Sequence, residues 1–170
     1  MFDPKYAERI KQILARYPDK RSAVMPMLYI AQDQYGHVTP EGIVDVAEVC
    51  ELDPTQVKSI AGFYSMYSEE PKGKYWLQVC TDLPCALRGA DKFYEELLAL
   101  LNVKSGGTTA DGAFTVEHVT CLAACDHAPM LQCNFHFHEN LDMEKMKELI
   151  EKWRAALQES GEASEPQGAP

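Results

Sequence analysis

The chain has 170 residues, of which 46% are hydrophobic and 25% are charged, and its 26 acidic and 16 basic residues give a formal net charge of -10. This length and composition predict a soluble globular protein with one domain or two small ones. The acidic balance argues against binding a phosphate backbone, so we expect no nucleic acid partner. The longest apolar run, residues 24–31, contains a proline and is too short to cross a membrane, so no direct membrane insertion is expected.

The N-terminus places acidic residues among its first apolar positions, which is not the pattern of a signal peptide. We therefore expect a cytoplasmic chain, in which thiols are kept reduced. The 6 cysteines are then better explained by metal binding or redox chemistry than by disulfides.

The helix start and stop signals in the first seventy residues or so predict a small bundle of four short helices. Three of the helix starts share one signal, a capping residue followed directly by proline. They lie at Asp3-Pro4, Thr39-Pro40 and Asp53-Pro54. Gln56 adds a capping-box pattern to the last of them. The remaining helix is predicted from Ser22 to about Tyr35, where Pro26 is tolerated in the first turn and Gly36 ends the helix.

Beyond Glu70 the apolar periodicity changes from about 3.6 to 2, so we place a domain boundary between residues 72 and 73. The predicted elements that follow are a strand ending at Cys80, a helix over 90–101, a strand over 114–119, a hairpin around Asn134 and a helix capped by Asp142. This order is α/β, the minimal thioredoxin-like arrangement, preceded by a small all-α helical bundle. We expect domains at 1–72 and 73–158, and a disordered tail at 159–170 that lacks aromatic and β-branched residues.

Four of the cysteines form two close pairs, Cys80 with Cys85 and Cys121 with Cys125. Each pair follows a predicted strand, and the carboxyl ends of parallel strands lie on one edge of a sheet, so four sulfurs can meet there. Two thiolates for each of two irons is what a binuclear iron-sulfur cluster requires. Compact residues in both loops let backbone N–H groups approach such an anionic group. We expect Asp82 to point outward or to cap the following turn.

Other interpretations stay open. A structural zinc ion also takes four cysteines, although these gaps are at the long end of its usual spacing. A thioredoxin-type dithiol would need a C-x-x-C motif, and neither cysteine pair has that spacing. The histidines that would allow a Rieske-type centre are His118, His127, His136 and His138. Cys50 and Cys133 are predicted to be core residues, because free cysteine is often buried.

Four stretches of the chain, together with the two cysteine pairs, resemble the E subunit of respiratory complex I (NADH-quinone oxidoreductase), the thioredoxin-like [2Fe-2S] ferredoxin of the NADH dehydrogenase module. They are RSAVMPMLYIAQDQYG, AGFYSMYSEEPKGKYWLQVC, VCTDLPCALRGA and VEHVTCLAACDHAPMLQCN. The resemblance covers about residues 4–155. It implies that Cys80 and Cys85 ligate one iron and that Cys121 and Cys125 ligate the other.

The resemblance also implies an oxidoreductase component that carries one electron next to the flavin-containing NADH-binding partner, which is the F-type subunit of the same complex. FMN and NADH are expected on that partner, since this chain has no G-x-G-x-x-G or P-loop motif. The chain would then be cytoplasmic and peripheral to the inner membrane through its complex. Similar chains serve NAD-linked hydrogenases and formate dehydrogenases, and the motifs do not distinguish these hosts. The stretch 63–67 looks exposed and predicts either a docking surface or interdomain packing.

One position departs from the family pattern. The family usually reads Cys-Leu-Gly-Ala-Cys at the second pair, where this chain has Ala123 in place of glycine. If that position has a positive φ, the Cβ costs about 1 kcal/mol and reshapes the loop without removing a ligand. We expect a cluster of low potential, because four thiolates and an acidic protein both disfavour adding an electron.

Overall fold

The computed structural model describes residues 1–159, which form two compact units. The first unit runs from Met1 to Pro71, and the second begins at Lys72. The predicted boundary lies one residue further along, and the extents 1–72 and 73–158 as independent domains stay a prediction. Apart from Glu159, the predicted tail at 159–170 is outside the described residues. No helix in this described part is long and apolar enough to span a bilayer.

The first unit is a bundle of helices, and the last two of them start at the predicted capping signals. Its helices are α1 (Ala7–Ala15), α2 (Val24–Tyr35), α3 (Pro40–Cys50) and α4 (Pro54–Phe63). Thr39 accepts a hydrogen bond from the Gly42 N–H at 3.0 Å, and Asp53 accepts one from Thr55 at 2.8 Å. Gln56 completes the capping box of α4. These contacts confirm the predicted starts, because each satisfies an N–H group that the helix itself leaves free.

The core of the first unit is built from the inward faces of these helices. Its fully buried side chains include Met27, Leu28, Ile30, Val46 and Val57. Cys50 lies in this core, as predicted. Tyr67 is only 6% exposed: its ring packs on Tyr29 at 4.9 Å and its hydroxyl donates to the carbonyl of Met25 at 2.9 Å. The exposure expected for Tyr67 is therefore wrong, whereas Phe63 is 80% exposed.

The second unit contains a mixed sheet with the strand order β2-β1-β3-β4. Its strands are β1 (Tyr75–Cys80), β2 (Phe114–Val119), β3 (Leu131–Cys133) and β4 (His136–His138). β1 runs parallel to β2 and antiparallel to β3. The predicted hairpin is confirmed: Asn134 and Phe135 join β3 to β4 with φ values of 45° and 70°, as a two-residue turn of the I′ type requires.

Two helices, α6 (Ala90–Leu101) and α7 (Met143–Glu159), supply apolar side chains that pack with one face of this sheet. The strand residues in this core are Leu77, Val79, Phe114, Val116, Leu131 and Cys133. Cys133 is thus a core residue, as predicted. The α/β prediction is confirmed, but the sequence pattern did not indicate a short helix, α5 (Leu83–Ala86), which closely follows β1.

Candidate metal centre

Both cysteine pairs leave the sheet at the same edge. β1 and β2 are adjacent parallel strands whose last residues, Cys80 and Val119, are partners in the register. The Thr81 N–H donates to the Val119 carbonyl at 3.1 Å, and the Cys80 N–H donates to the Met130 carbonyl at 3.3 Å. The loop after β1 and the loop after β2 therefore start side by side, as the parallel arrangement predicted.

The first pair, Cys80 and Cys85, is buried. Cys85 lies on α5, where Pro84 occupies the first turn, and both cysteines are at most 1% exposed. Their two thiols are close enough to share a hydrogen bond. Asp82 is the residue before α5, but its side chain makes no capping hydrogen bond, so of the two alternatives expected for that carboxylate the capping one does not apply. The short helix therefore turns the Cys85 thiol back toward the end of β1.

The second pair, Cys121 and Cys125, lies nearer the surface. Cys121 is exposed and Cys125 is half-buried at the start of a single 3-10 turn that ends at His127. Between them Ala123 has a φ of +60° and donates its N–H to the Cys121 sulfur at 3.4 Å. Ala123 therefore has the positive φ on which the predicted strain depends. It lies in the left-handed region, in which a Cβ is disfavoured. The loop supplies a backbone donor of the kind that stabilises a ligating sulfur.

The four thiols share one electrostatic environment. Burial, followed by the hydrogen bond from Cys80, raises the pKa of the Cys85 thiol to about 12. The charges of Cys80, Cys125 and Cys121 are smaller contributions to the same rise. Metal ligation needs thiolates, so a bound cationic centre would have to offset this resistance to ionisation. Cys85 is therefore the thiol of the set whose ionisation the other three oppose.

The donor set consists of two pairs of thiols, Cys80 with Cys85 and Cys121 with Cys125. Within residues 1–159, no three His, Cys, Asp or Glu side chains gather closely enough to hold a metal ion. A binuclear cluster asks instead for two pairs of thiolates, one for each iron, on either side of bridging sulfide. The arrangement of one buried pair and one outer pair at a single sheet edge fits that demand. Cys80, Cys85, Cys121 and Cys125 would hold the group, and this ligand set stays a prediction.

Small and apolar side chains surround the buried pair. They are Ala90, Ala124, Ala128 and Met130, with Leu122 packed against them. Such surroundings exclude water and let backbone amides come close to sulfur, which are two of the ways in which a protein tunes a cluster. Arg88 reaches this region as well, since its Nε donates to the Ala128 carbonyl at 3.0 Å. The sequence reasoning missed Arg88, because nothing in the local pattern shows where its side chain goes.

None of the nearby histidines joins the cysteines in the described part of the chain. His127 pairs with Asp126 at 3.3 Å on the surface side of its loop. His118 packs against the ring of Tyr94 at 5.8 Å. His138 lies against another ring, that of the tryptophan on α7, and burial lowers its pKa. The geometry therefore gives no support to a Rieske-type centre, which needs two histidine ligands on one iron.

Comparison with known proteins gives consistent results for sequence and fold. A family model described as thioredoxin-like [2Fe-2S] ferredoxin matches residues 10–154. The chain is 40% identical over 149 residues to the NADH-quinone oxidoreductase E 2 subunit of Rhizobium meliloti (strain 1021), covering 88% of this chain and 89% of that protein. It is 39% identical over 145 residues to the NADH-quinone oxidoreductase E subunit of Mycobacterium bovis, covering 85% of this chain and 58% of that longer protein.

A solved structure shares the fold. The structure of an NAD+-reducing [NiFe]-hydrogenase in the air-oxidized state matches with a TM-score of 0.69 and 20% sequence identity. The match covers 86% of this chain and 25% of the hydrogenase chain. At this identity the similarity concerns the fold alone, and it supports the thioredoxin-like arrangement predicted from the order of elements.

Proposed function

Because this chain belongs to the thioredoxin-like [2Fe-2S] ferredoxin family, we propose that it is the electron-transfer subunit of the NADH dehydrogenase module of respiratory complex I. When bound, the [2Fe-2S] cluster supplies the one-electron redox chemistry. The residues of this chain would ligate the cluster, shield the side held by the buried pair from water and supply a backbone hydrogen bond to one ligating sulfur. The chain is one component of an oxidoreductase and has no NADH site of its own.

One observation supports this proposal above the others. Two adjacent parallel strands deliver two cysteine pairs to one edge of the sheet, and the Cys85 thiol interacts with all three other cysteines of the set. Neither pair alone could complete a four-thiolate site. The chain also aligns over most of its length with relatives named as the E subunit of NADH-quinone oxidoreductase, which supports the same assignment.

The partner in this proposal is a flavin-containing NADH-binding protein of the same complex, which would hold FMN and NADH. The relatives at about 40% identity carry the name of a quinone-reducing enzyme, whereas the hydrogenase supports only the fold. We therefore favour complex I over an NAD-linked hydrogenase or formate dehydrogenase as the host. The chain would lie at the membrane periphery through that complex, in the cytoplasm.

Analysis of the purified full-length chain tests the cofactor. We expect a brown protein with two irons and two acid-labile sulfides per chain, and an EPR signal that appears only on reduction. A colourless protein with one zinc ion per chain would overturn the proposal. Reconstitution under anaerobic conditions with iron and sulfide should precede the analysis, so that oxidative loss of the cluster is not mistaken for its absence.

Cysteine variants separate ligands from core residues. Cys85→Ser should abolish the binuclear EPR signal or change its g values, because a serine oxygen replaces a buried sulfur ligand. Cys133→Ser is the matched control, since Cys133 is also buried in the same unit but lies in the sheet core. It should lower stability and leave the EPR signal unchanged. Equal loss of the signal in both variants would contradict the proposed ligand set.

Partner binding needs a separate test. Phe63 is the most exposed aromatic side chain at the end of α4, and Tyr64 packs against it at 5.0 Å with 41% of its own surface exposed. If this pair docks the flavoprotein, Phe63→Ser should reduce co-purification of a flavin-containing partner. Val44→Ser on α3, another exposed apolar position of the bundle, should not. Equal recovery from both variants would exclude the pair as the docking surface.

A further inference from the structure

Arg88 connects the two loops that carry the proposed ligands. Its backbone N–H donates to the Cys85 carbonyl at 3.0 Å, which fixes it to the turn after α5. Its side chain then crosses to the other loop, where Nε donates to the Ala128 carbonyl at 3.0 Å. Ala128 is 2% exposed and lies three residues after Cys125. One side chain therefore ties the segment holding Cys85 to the segment holding Cys125.

The charge of Arg88 is not neutralised by a carboxylate. In residues 1–159, no Asp or Glu side chain forms an ion pair with its guanidinium group. Arg154 of the same unit differs, because it pairs with Asp111 at 3.0 Å. In a chain of net charge -10, Arg88 thus brings a positive charge to the edge of the sheet that carries the cysteines. Reduction adds a negative charge to the cluster, and a nearby positive charge favours the more negative form.

We propose that Arg88 is a positioning residue that ties the two ligand loops together and raises the midpoint potential of the cluster by holding a positive charge beside it. The inference rests on the proposed function, since it concerns a cluster bound at the four cysteines. The hydrogen bond to a buried carbonyl limits how far the guanidinium can move into solvent. Arg88 is itself an exposed residue, and exposed charges that move freely are screened and act weakly, so the electrostatic effect depends on this attachment.

An EPR-monitored redox titration of the full-length, cluster-loaded chain tests this role. Arg88→Gln should shift the reduction equilibrium at least threefold toward the oxidised cluster. At 59 mV per tenfold change for a one-electron couple, this lowers the midpoint potential by about 28 mV. Arg88→Lys retains the charge and should restore most of the wild-type potential. Arg154→Gln makes the same change in net charge near the opposite end of β2, where Asp111 precedes the strand, and should leave the potential unchanged.

Several outcomes would overturn the inference. Equal shifts in Arg88→Gln and Arg154→Gln would mean that only net charge matters. An unchanged potential in Arg88→Gln with an intact cluster would remove any electrostatic role. If Arg88→Gln and a second neutral variant, Arg88→Met, both lose the cluster, the tie is supported, and an Arg88→Lys chain that keeps the cluster at a potential far from wild type would then overturn the electrostatic role. A wild-type chain without iron and sulfide would instead refute the proposed function itself.

Discussion

Ala123 donates its backbone N–H to the sulfur of Cys121 at 3.4 Å while its own φ is +60°. The N–H lies in the peptide plane between Leu122 and Ala123, whereas the positive φ of Ala123 sets the direction of the chain that continues toward Cys125. An L-residue with a Cβ is strained in that conformation, whereas glycine adopts it freely. The residue therefore combines a favourable contact with local backbone strain.

Replacing Ala123 by glycine should stabilise the chain by about 1 kcal/mol, since it removes the Cβ and keeps the N–H donor. Ala99→Gly is a matched control, because Ala99 is an exposed residue in the regular helix α6. That change should destabilise by about 0.5–1 kcal/mol. Thermal unfolding of the three cluster-loaded proteins measures both effects. A loss of stability in both variants would show that Ala123 is unstrained.

Thiol labelling should divide the six cysteines into two classes. In the cluster-loaded chain, iodoacetamide at about pH 8 should label none of them, because four are ligands and two are buried. Removal of iron with a chelator should expose Cys121 first, since it is the exposed thiol of the set. Burial raises the pKa of Cys50 to about 11 and that of Cys133 to about 12, so both should stay unlabelled until the chain unfolds.

Mass spectrometry of the labelled peptides gives the order of reaction. A control in denaturant should show all six cysteines labelled, which proves that the reagent is sufficient. Labelling of Cys50 or Cys133 ahead of Cys121 would contradict the burial and pKa argument. Labelling of Cys121 in the loaded chain would show that this residue is not a ligand.

The helix starts and the hairpin could be predicted because their signals are local. A capping residue followed by proline fixes a helix start within a single turn, and the structure has this arrangement at Thr39 and Asp53. The hairpin around Asn134 depends on turn residues that tolerate positive φ. The cysteine edge followed from one general rule about parallel strands, so its location needed no knowledge of packing.

The features that could not be predicted depend on tertiary contacts. α5 spans only four residues, Leu83–Ala86, which is too short for any helical periodicity. Tyr67 resembles its exposed neighbours in the sequence, but its hydroxyl reaches the carbonyl of Met25, which lies far away along the chain. Arg88 contacts Ala128 across a similar separation. Such contacts depend on how the elements pack together, and the pattern of a single sequence does not predict them.

Gly73 lies where the backbone before β1 approaches β2 too closely for a side chain. A Cβ there would be 2.8 Å from the Phe114 carbonyl carbon and 2.9 Å from the Thr115 N. Both are backbone atoms of a paired strand and cannot move aside easily, so Gly73→Ala should destabilise by about 1–3 kcal/mol. Gly62 in α4 meets only a flexible Glu69 carboxylate at 3.8 Å, and Gly62→Ala should stabilise by about 0.5–1 kcal/mol.

Chemical denaturation of the two glycine variants measures these opposite changes in one protein. The comparison is direct because both variants add the same methyl group. If Gly73→Ala unfolds at the same denaturant concentration as wild type, the close approach is relaxed in solution. A destabilised Gly62→Ala would show that the helix end at Phe63 needs glycine for another reason.

Two aspartates of the first unit should give opposite pH dependences. Burial raises the pKa of Asp33 above its ordinary value, against the smaller lowering by Arg9, whose Nη1 donates to Asp33 at 3.0 Å. Folding therefore favours the protonated form of Asp33. The contribution of Asp33 to the stability of the fold is fully present below its unfolded pKa and is lost as pH rises through its folded pKa. Relative to wild type, Asp33→Asn should gain stability between about pH 3 and pH 6.

The pH dependence of stability expected from Asp53 has the opposite sign to that from Asp33. The hydrogen bonds that it accepts from the Thr55 side chain and backbone N–H lower its pKa, so its contribution is present above the unfolded pKa and is lost as pH falls through the folded pKa. Asp53→Asn should lose stability relative to wild type as pH rises from below the folded pKa to just above the unfolded value of about 4, because asparagine can cap α4 but carries no charge for the helix N-terminus. Denaturant midpoints of both variants and wild type, measured across this pH range, give the two slopes, and slopes of equal sign would contradict the assignment of burial to Asp33 and capping to Asp53.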